Sequence, residues 1–221
     1  MFKIGIIGGG TMGTGIAYVC AQAGADVLVV EPDKERASRM RASQSVAAQS
    51  AITRGKLTQD DAAALEARIA TLADLSDLPA KLDLIIESIF EDLDLKRETL
   101  GKAALLEPAL LASNTSALSI DALAVGLPAP ERFLGMHFFN PVWSLKLVEI
   151  VRGSATSDDA VEAARNFAQW MGKESLVVRD IPGFATSRLD LIASLEAMRM
   201  VESGVTSAEG IDRAATLAYR H

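Results

Sequence analysis

The start of the chain constrains the fold most, because an apolar run at residues 2–7 leads directly into three glycines. Residues 8–13 read Gly-Gly-Gly-Thr-Met-Gly and fit the pattern G-x-G-x-x-G. Small and apolar residues over 11–24 are typical of a helix, and residues 26–30 form a second apolar run. Glycines between a strand and a helix, at the start of a β-α-β unit, predict a turn that binds a dinucleotide.

Each residue of this turn has a physical role in such a site. Gly8 permits the tight turn, Gly10 lets a pyrophosphate approach the backbone, and Gly13 lets the helix pack closely on the strand. At Thr11 and Met12 the helix N-terminus offers N–H groups and the positive end of its dipole to phosphates. We therefore predict that these five residues contact the cofactor, against the alternative of an ordinary glycine turn.

Glu31 ends the second apolar run, 18 residues after Gly13. An acid at this position accepts hydrogen bonds from the adenosine ribose of NAD. Its charge would also repel the extra phosphate of NADP, so we predict NAD as the cofactor. Lys34 and Arg36 are expected on the following helix, and the alternative for Glu31 is a solvated strand end.

Strand and helix patterns alternate along most of the chain. This alternation predicts an α/β fold, with a Rossmann-like, doubly wound and mainly parallel sheet followed by an all-helical C-terminal segment. We place the domain boundary near residue 180. The predicted strands are 2–7, 26–30, 82–87, 110–113, 132–139, 146–151 and 174–178. The predicted helices are 11–24, 33–54, 60–70, 93–106, 157–172, 184–203 and 207–219.

Composition narrows the classes of function. The 221 residues carry a net charge of −7 and are 49% hydrophobic, without a block of basic residues, so partners such as nucleic acid or a membrane surface are not expected. Cys20 is the single cysteine, and no Cys/His cluster has metal-ligand spacing, so we predict no metal. The N-terminus lacks the apolar stretch of a signal peptide, and we expect a cytoplasmic protein.

The chain has two histidines, His137 and His221. His137 lies near the C-terminal end of the predicted strand 132–139, at the strand end where ligands bind in open α/β sheets. Glu149 interrupts the apolar strand 146–151, and a charge there must be paired or functional. If the two strands pack side by side, Glu149 reaches the imidazole and fixes its tautomer. The alternative is a structural histidine.

Ser113-Asn114-Thr115-Ser116 closes the predicted strand 110–113 at the same kind of strand end. These four small polar residues either cap a turn or face a ligand.

Six motifs occur in order along the whole chain. Together they resemble the 3-hydroxyacyl-CoA dehydrogenase family, which includes bacterial 3-hydroxybutyryl-CoA dehydrogenases. They are the glycine-rich start, Glu87-Ser88-Ile89-Phe90-Glu91-Asp92-Leu93-Asp94-Leu95-Lys96, Ser113-Asn114-Thr115-Ser116, His137-Phe138-Phe139-Asn140-Pro141, Leu147-Val148-Glu149 and Asp180-Ile181-Pro182-Gly183-Phe184.

This resemblance implies NAD-dependent oxidation of the 3-hydroxyl group of an acyl-CoA, or the reverse reduction. It implies that His137 is the general base, that Glu149 orients it, that Ser116 bonds the substrate oxygen near the nicotinamide and that Asn140 orients the substrate. For Asn140 the alternative is a turn residue before Pro141.

Further cofactor contacts follow from the resemblance, which places Glu91, Lys96 and Asn114 against NAD. For Glu91 and Lys96 the alternative is an exposed ion pair on a helix.

The resemblance also places coenzyme A contacts on the helix 33–54, for which Ser45, Arg54 and Lys56 are the candidates. The alternative for these three is ordinary surface polarity. Ser187 stands where the family commonly has an asparagine that contacts the substrate. The segment 181–221 is then the start of a helical domain for substrate binding and homodimer formation, and relatives are expected to continue beyond the equivalent of His221.

Two rival functions remain open at the level of sequence. One is a dehydrogenase of a hydroxy acid without coenzyme A, of the gulonate or carnitine type. The other is an NAD-binding or structural protein without catalysis, as crystallin-like relatives are.

Overall fold

The structure is a computed structural model that describes residues 1–219, so that His221 lies outside the described residues. It divides into two compact units, of which the first covers Met1–Pro182 and the second begins at Gly183. The predicted boundary at residue 180 lies two residues before this division.

Eight strands form one sheet in the first unit, in the order β3-β2-β1-β4-β5-β6-β7-β8. Neighbouring strands are parallel except for β6 and β7, which are antiparallel. The predicted α/β class with a mainly parallel, Rossmann-like sheet is confirmed. The strands are β1 (Lys3–Ile7), β2 (Asp26–Val30), β3 (Ile69–Leu72), β4 (Leu84–Glu87), β5 (Leu110–Ser113), β6 (Phe133–Phe138), β7 (Leu147–Arg152) and β8 (Glu174–Arg179).

Six helices flank this sheet, and the ends of several are fixed by side-chain caps. Asp33 accepts hydrogen bonds from the first turn of α2, and Ser157 caps α6. A short helix, α5, was not predicted from the sequence; Ser119 caps it. The helices are α1 (Thr11–Gln22), α2 (Lys34–Thr53), α3 (Gln59–Ala67), α4 (Leu93–Ala104), α5 (Ile120–Ala124) and α6 (Asp158–Trp170).

The strand β3 corrects the predicted helix 60–70. That helix ends at Ala67, and residues 69–72 pair with β2 as the edge of the sheet. The N–H groups of Val27 and Glu31 donate to the carbonyls of Arg68 and Leu72. Buried backbone groups need partners, so the demand of β2 for a neighbour overrides the weak helical pattern of this short segment.

The central strands are apolar on both faces because helices cover both. In β4 the side chains of Ile85 and Ile86, which point to opposite faces of the sheet, are both fully buried. Helix α1 is rich in small residues, and a Cβ at Gly15 would lie only 2.7 Å from Val142 Cβ. The helix therefore lies close to the loop that follows β6.

Cys20 lies in this core, with its Sγ 3.5 Å from the Sδ of Met171, and burial raises the pKa of its thiol to about 12. We expect no reaction of the native protein with a thiol reagent such as DTNB near pH 8, because the thiolate is both scarce and inaccessible. One equivalent of thiol should appear after unfolding in guanidinium chloride. Rapid labelling of the native chain would contradict this packing.

The second unit contains α7 (Thr186–Glu202) and α8 (Ala208–Ala214), which continues as a π-helical turn over Ala215–Tyr219. Ser207 caps α8 by accepting from the N–H of Gly210. Apolar side chains of α7, among them Leu191 and Met198, are exposed.

Candidate active site

The glycine turn is built for close approach of backbone and ligand. Gly8 has φ +106°, and a Cβ there would lie 2.6 Å from the carbonyl oxygen of Ser88. A Cβ on Gly13 would overlap the carbonyl oxygen of Gly8. At Gly10, by contrast, a Cβ would meet no atom of the described chain within 4 Å. The space beside Gly10 is therefore open to a phosphate, at the N-terminus of α1.

Glu31 is buried at the end of β2, with 3% of its surface exposed, so the alternative of a solvated strand end is wrong. Its carboxylate accepts hydrogen bonds from the N–H of Gly9 at 2.9 Å and of Asp33 at 3.0 Å. Arg36 Nη1 lies 3.3 Å from Glu31 Oε1. The acid is thus held directly beside the glycine turn.

A cleft of about 1180 Å³ passes the carboxyl ends of β1, β2, β4 and β5. Ligands of open parallel sheets bind at this edge. Seven of the sequence-predicted cofactor residues line the cleft together with Ser116: Gly8, Gly10, Thr11, Met12, Glu31, Glu91 and Asn114. Residues 1–219 contain no group of three or more His, Cys, Asp or Glu side chains arranged to hold a metal ion.

Lys96 is fully buried behind the cleft wall, so the alternative of an exposed helix pair is wrong for it. Its ammonium lies 2.6 Å from Glu87 Oε1 and 3.2 Å from Glu91 Oε2. Glu87, itself fully buried, also accepts from the hydroxyl of Ser113 at 2.6 Å. Lys96 has no exposed surface and holds Glu91, and its predicted contact with NAD stays a prediction.

Glu91 organises the loop that carries Ser116. Its carboxylate accepts the hydroxyl of Thr115 and the N–H groups of Ser116 at 2.9 Å and Ala117 at 3.1 Å. Burial alone would raise the pKa of Glu91, but the Thr115 hydroxyl, the Lys96 ammonium and the Ser116 N–H offset this and bring the pKa below its ordinary value. Glu91 is therefore ionised at neutral pH and fixes one end of the cleft.

Replacing Glu91 by glutamine should cost stability in a manner that depends on pH. A lowered pKa in the folded state means that the stabilisation is full above the ordinary value of 4.5 and is lost as pH falls through the lowered value. At neutral pH we expect a loss of about 1 kcal/mol, because the group is half-exposed and solvent screens its contacts. Urea unfolding of both proteins between about pH 3 and pH 7 measures the difference, and a difference that does not change with pH would contradict the assignment.

His137 and Glu149 face each other directly in the antiparallel pair β6 and β7. His137 Nδ1 lies 2.9 Å from Glu149 Oε2, which confirms the contact predicted from the sequence. Glu149 is fully buried and His137 is 5% exposed, with the ring of Phe139 at 4.5 Å between centroids. A buried carboxylate bonded to one ring nitrogen fixes the orientation and tautomer of an imidazole.

Backbone contacts connect this pair to the cleft. The N–H of Phe138, next to His137, donates to Asn114 Oδ1 at 2.8 Å, and Asn114 lines the cleft. Asn140 follows β6 and is exposed. The turn after it is tied down by Lys173, whose ammonium donates to the carbonyls of Val142 and Leu145.

The residues predicted to contact coenzyme A do not line one common cavity in the structure. A second cavity of about 450 Å³ is lined by Arg54, with Trp143 and residues of α2, but by neither Ser45 nor Lys56. Ser45 donates to Glu66 Oε1 at 2.6 Å, toward α3, and Lys56 is exposed after the end of α2. Ser187 lies in the first turn of α7, in the second unit, and its contact with substrate stays a prediction.

Sequence reasoning missed several residues that shape the site. Glu87 is the charged last residue of the apolar strand β4, and a charge that adjoins such a strand is a signal that could have found it. Thr115 and Lys173 act through contacts with residues distant in the sequence, and no local sequence pattern predicts such contacts. Arg36 and Phe90 line the cleft as well.

Comparison with known proteins places this site in a family. A family model described as "3-hydroxyacyl-CoA dehydrogenase, NAD binding domain" matches residues 3–181. The 3-hydroxybutyryl-CoA dehydrogenase of Bradyrhizobium diazoefficiens is 38% identical over 223 residues, which cover 99% of this chain and 75% of that protein. The crystal structure of (S)-3-hydroxybutyryl-CoA dehydrogenase from Ralstonia eutropha is 36% identical, with a TM-score of 0.90, and the match covers 99% of this chain and 78% of that one.

A more distant solved structure has a different substrate in its name. It is an NAD+-dependent dismutase, a 5-dehydrogenase of 5-formyl-3-hydroxy-2-methylpyridine 4-carboxylic acid, 29% identical, with a TM-score of 0.88 and coverage of 99% of this chain and 71% of that one. Within residues 1–219 no helix has the length and apolar character needed to cross a membrane.

From the family match and the identity along its whole length, the chain belongs to the 3-hydroxyacyl-CoA dehydrogenase family and is an NAD-dependent oxidoreductase.

Proposed function

We propose that this protein oxidises the 3-hydroxyl group of a 3-hydroxyacyl-CoA, or reduces the 3-oxo group in the reverse direction, with His137 as the acid–base group. The observation that carries the proposal is the 2.9 Å contact between His137 Nδ1 and the buried carboxylate of Glu149. His137 lies near the end of β6. The next residue, Phe138, donates its N–H to Asn114 Oδ1, and Asn114 lines the cleft.

His137 takes up the hydroxyl proton at Nε2, because Nδ1 is bonded to Glu149. Glu149 accepts the Nδ1–H, holds this tautomer and stabilises the imidazolium that forms. Glu149 is therefore a positioning residue, and His137 is the catalytic residue. NAD, when bound, accepts the hydride that leaves C3 of the substrate.

The residues present fit NAD. The turn at residues 8–13 would hold the pyrophosphate, as the open space beside Gly10 indicates. Glu31 would accept from the adenosine ribose. Glu91, held by Lys96, and Asn114 would stand at the nicotinamide end of the cleft.

The oxygen at C3 develops negative charge as its proton leaves, and donors near it favour the reaction. Ser116 is exposed at the cleft and supplies a hydroxyl. Asn140, exposed just after β6, supplies an amide that would orient the substrate. Ser116 bonds the reacting oxygen in this proposal, together with the imidazolium of His137.

The thioester part of the proposal is supported by the names of the relatives and by the second cavity. Arg54 and Trp143 line that cavity, and a cation beside an aromatic ring suits the nucleotide portion of coenzyme A. The helical unit keeps its proposed role in substrate binding and homodimer formation, with Ser187 as a substrate contact. The exposed apolar side chains of α7 support that role.

A second candidate is a substrate without coenzyme A, favoured by the likeness to the pyridine carboxylic acid dismutase. Absorbance of NADH should be followed with acetoacetyl-CoA and, separately, with free acetoacetate. If the thioester is the substrate, its kcat/KM exceeds that of the free acid by at least about tenfold, because binding of the remote part assists the reaction. Turnover of the free acid alone would support the second candidate, and turnover of neither would count against both.

A further inference from the structure

Lys173 directly precedes β8, and only 9% of its surface is exposed. A buried ammonium is costly unless its N–H groups and its charge find partners. Within residues 1–219 it forms no ion pair, and its N–H groups donate to the carbonyl oxygens of Val142 and Leu145, the second at 2.6 Å. Burial lowers the pKa of Lys173, as expected for a cation held by carbonyl groups alone. A buried lysine is therefore committed to one short segment of backbone.

That segment is a single hydrogen-bonded turn over residues 141–145. The N–H groups of Ser144 and Leu145 both donate to the carbonyl of Pro141, at 2.9 Å and 3.0 Å. At the C-terminal end of such a turn the carbonyls lack backbone partners. A lysine is suited to this end, because one ammonium has several N–H groups and can bond more than one carbonyl. Lys173 thus supplies partners that the turn cannot provide for itself.

The turn carries residues that the proposed function assigns to the substrate. Asn140 directly precedes it, and Val142 is packed over Gly15 of α1, where an added Cβ would lie 2.7 Å from Val142 Cβ. The ring of Trp143 lies 5.7 Å from that of Tyr18, between centroids, and Trp143 lines the second cavity. The amide that would orient the substrate and one wall of the second cavity both depend on where this turn lies.

We propose that Lys173 is a positioning residue for the acyl-CoA, because it holds the turn at 141–145, and with it Asn140, in the place where substrate binds. This inference rests on the proposed function for the identity of the substrate. The separation of His137 and Glu149 does not depend on Lys173, since the ladder between β6 and β7 sets it. Loss of Lys173 should therefore weaken substrate binding more than it slows proton transfer.

The kinetic test uses K173M, because methionine keeps most of the volume of lysine but has neither N–H donors nor charge. We expect KM for acetoacetyl-CoA to rise about tenfold, the order of one hydrogen bond lost to the substrate, with kcat within about threefold of wild type. The dissociation constant of NADH and the pH dependence of kcat should be unchanged. The control K81M removes an exposed lysine before the amino end of β4 and should leave KM unchanged. An unchanged KM in folded K173M, or an equal rise in K81M, would overturn the proposal.

The hold on the turn is tested without substrate. The chain has two tryptophans, Trp143 and Trp170, so W170F leaves Trp143 as the only indole and places it on the turn. Quenching of its fluorescence by acrylamide should be about twofold stronger in W170F/K173M than in W170F, because the turn opens more often when its carbonyls lose their partner. Equal quenching in the two proteins would overturn the hold on the turn, whatever the substrate is.

A second variant covers the case in which K173M does not fold, which circular dichroism and urea unfolding would show. K173Q keeps N–H donors without the charge, and we expect it to lie between wild type and K173M in KM and in quenching. Wild-type values of both in K173Q and K173M would overturn the proposal. A wild-type protein that does not turn over acetoacetyl-CoA would overturn the proposed function and the substrate part of this inference, while the quenching comparison would still decide whether Lys173 holds the turn.

Discussion

Replacing His137 by glutamine lowers kcat for acetoacetyl-CoA reduction by about 10³-fold, the range of a lost general acid–base group, and leaves the affinity for NADH unchanged. Glutamine keeps the polarity and much of the volume of histidine but has no group that exchanges protons. The first quantity is measured from NADH absorbance under saturating conditions, and the second by fluorescence titration without substrate. Unchanged turnover in H137Q would show that another group moves the proton.

The variant E149Q separates positioning from chemistry. Glutamine at residue 149 keeps a hydrogen-bond acceptor for His137 Nδ1 but removes the charge that stabilises the imidazolium, so kcat should fall by about 10²-fold with little change in KM. A merely structural role would instead lower the free energy of unfolding and leave kcat of the folded fraction intact. Kinetics and urea unfolding of the same preparation distinguish the two outcomes.

Replacing Lys96 by methionine should lower the free energy of unfolding by about 3–5 kcal/mol, because it leaves the buried carboxylate of Glu87 without its counter-ion. Urea unfolding measures this loss. The double variant E87Q/K96M should recover part of it, since the uncompensated charge is then removed as well.

A matched control for K96M stands on the same helix. Lys102 forms an exposed pair with Glu98 one turn away, so K102M should unfold at the same urea concentration as wild type within error. Loss of Lys96 should also weaken NADH binding, because Glu91 is no longer held against the loop of Ser116. If K96M and K102M were equally stable, Lys96 would not hold the network described here.

Local patterns were sufficient for the parts of the fold whose signal is local. The glycine turn and β5 at residues 110–113 both have short-range causes, and the structure has them where the sequence predicts them. The sequence analysis did not predict β3, because pairing with β2, and not the periodicity of its own four residues, makes this segment a strand. Pairing across the sheet is a property of the whole fold.

In the site, too, contacts with a local sequence signal were predicted and contacts that depend on the whole fold were not. The position of Glu149 inside an apolar strand predicted its contact with His137, because a buried charge without a partner costs much free energy. The predictions for Ser45 and Lys56 depended on a resemblance alone, and neither side chain lines the cavity beside α2. Lys96 could be matched to a family position, but its burial between two carboxylates depends on how α4 packs.

The antiparallel pairing of β6 and β7 determines which insertions the enzyme can tolerate. His137 and Glu149 are directly opposite in the ladder of β6 and β7, so backbone pairing, and not the connecting segment 139–146, sets their separation. Insertions in that segment should leave the pair aligned. A single residue inserted within β7 before Glu149 would turn the carboxylate to the other face of the sheet and disconnect it from the imidazole.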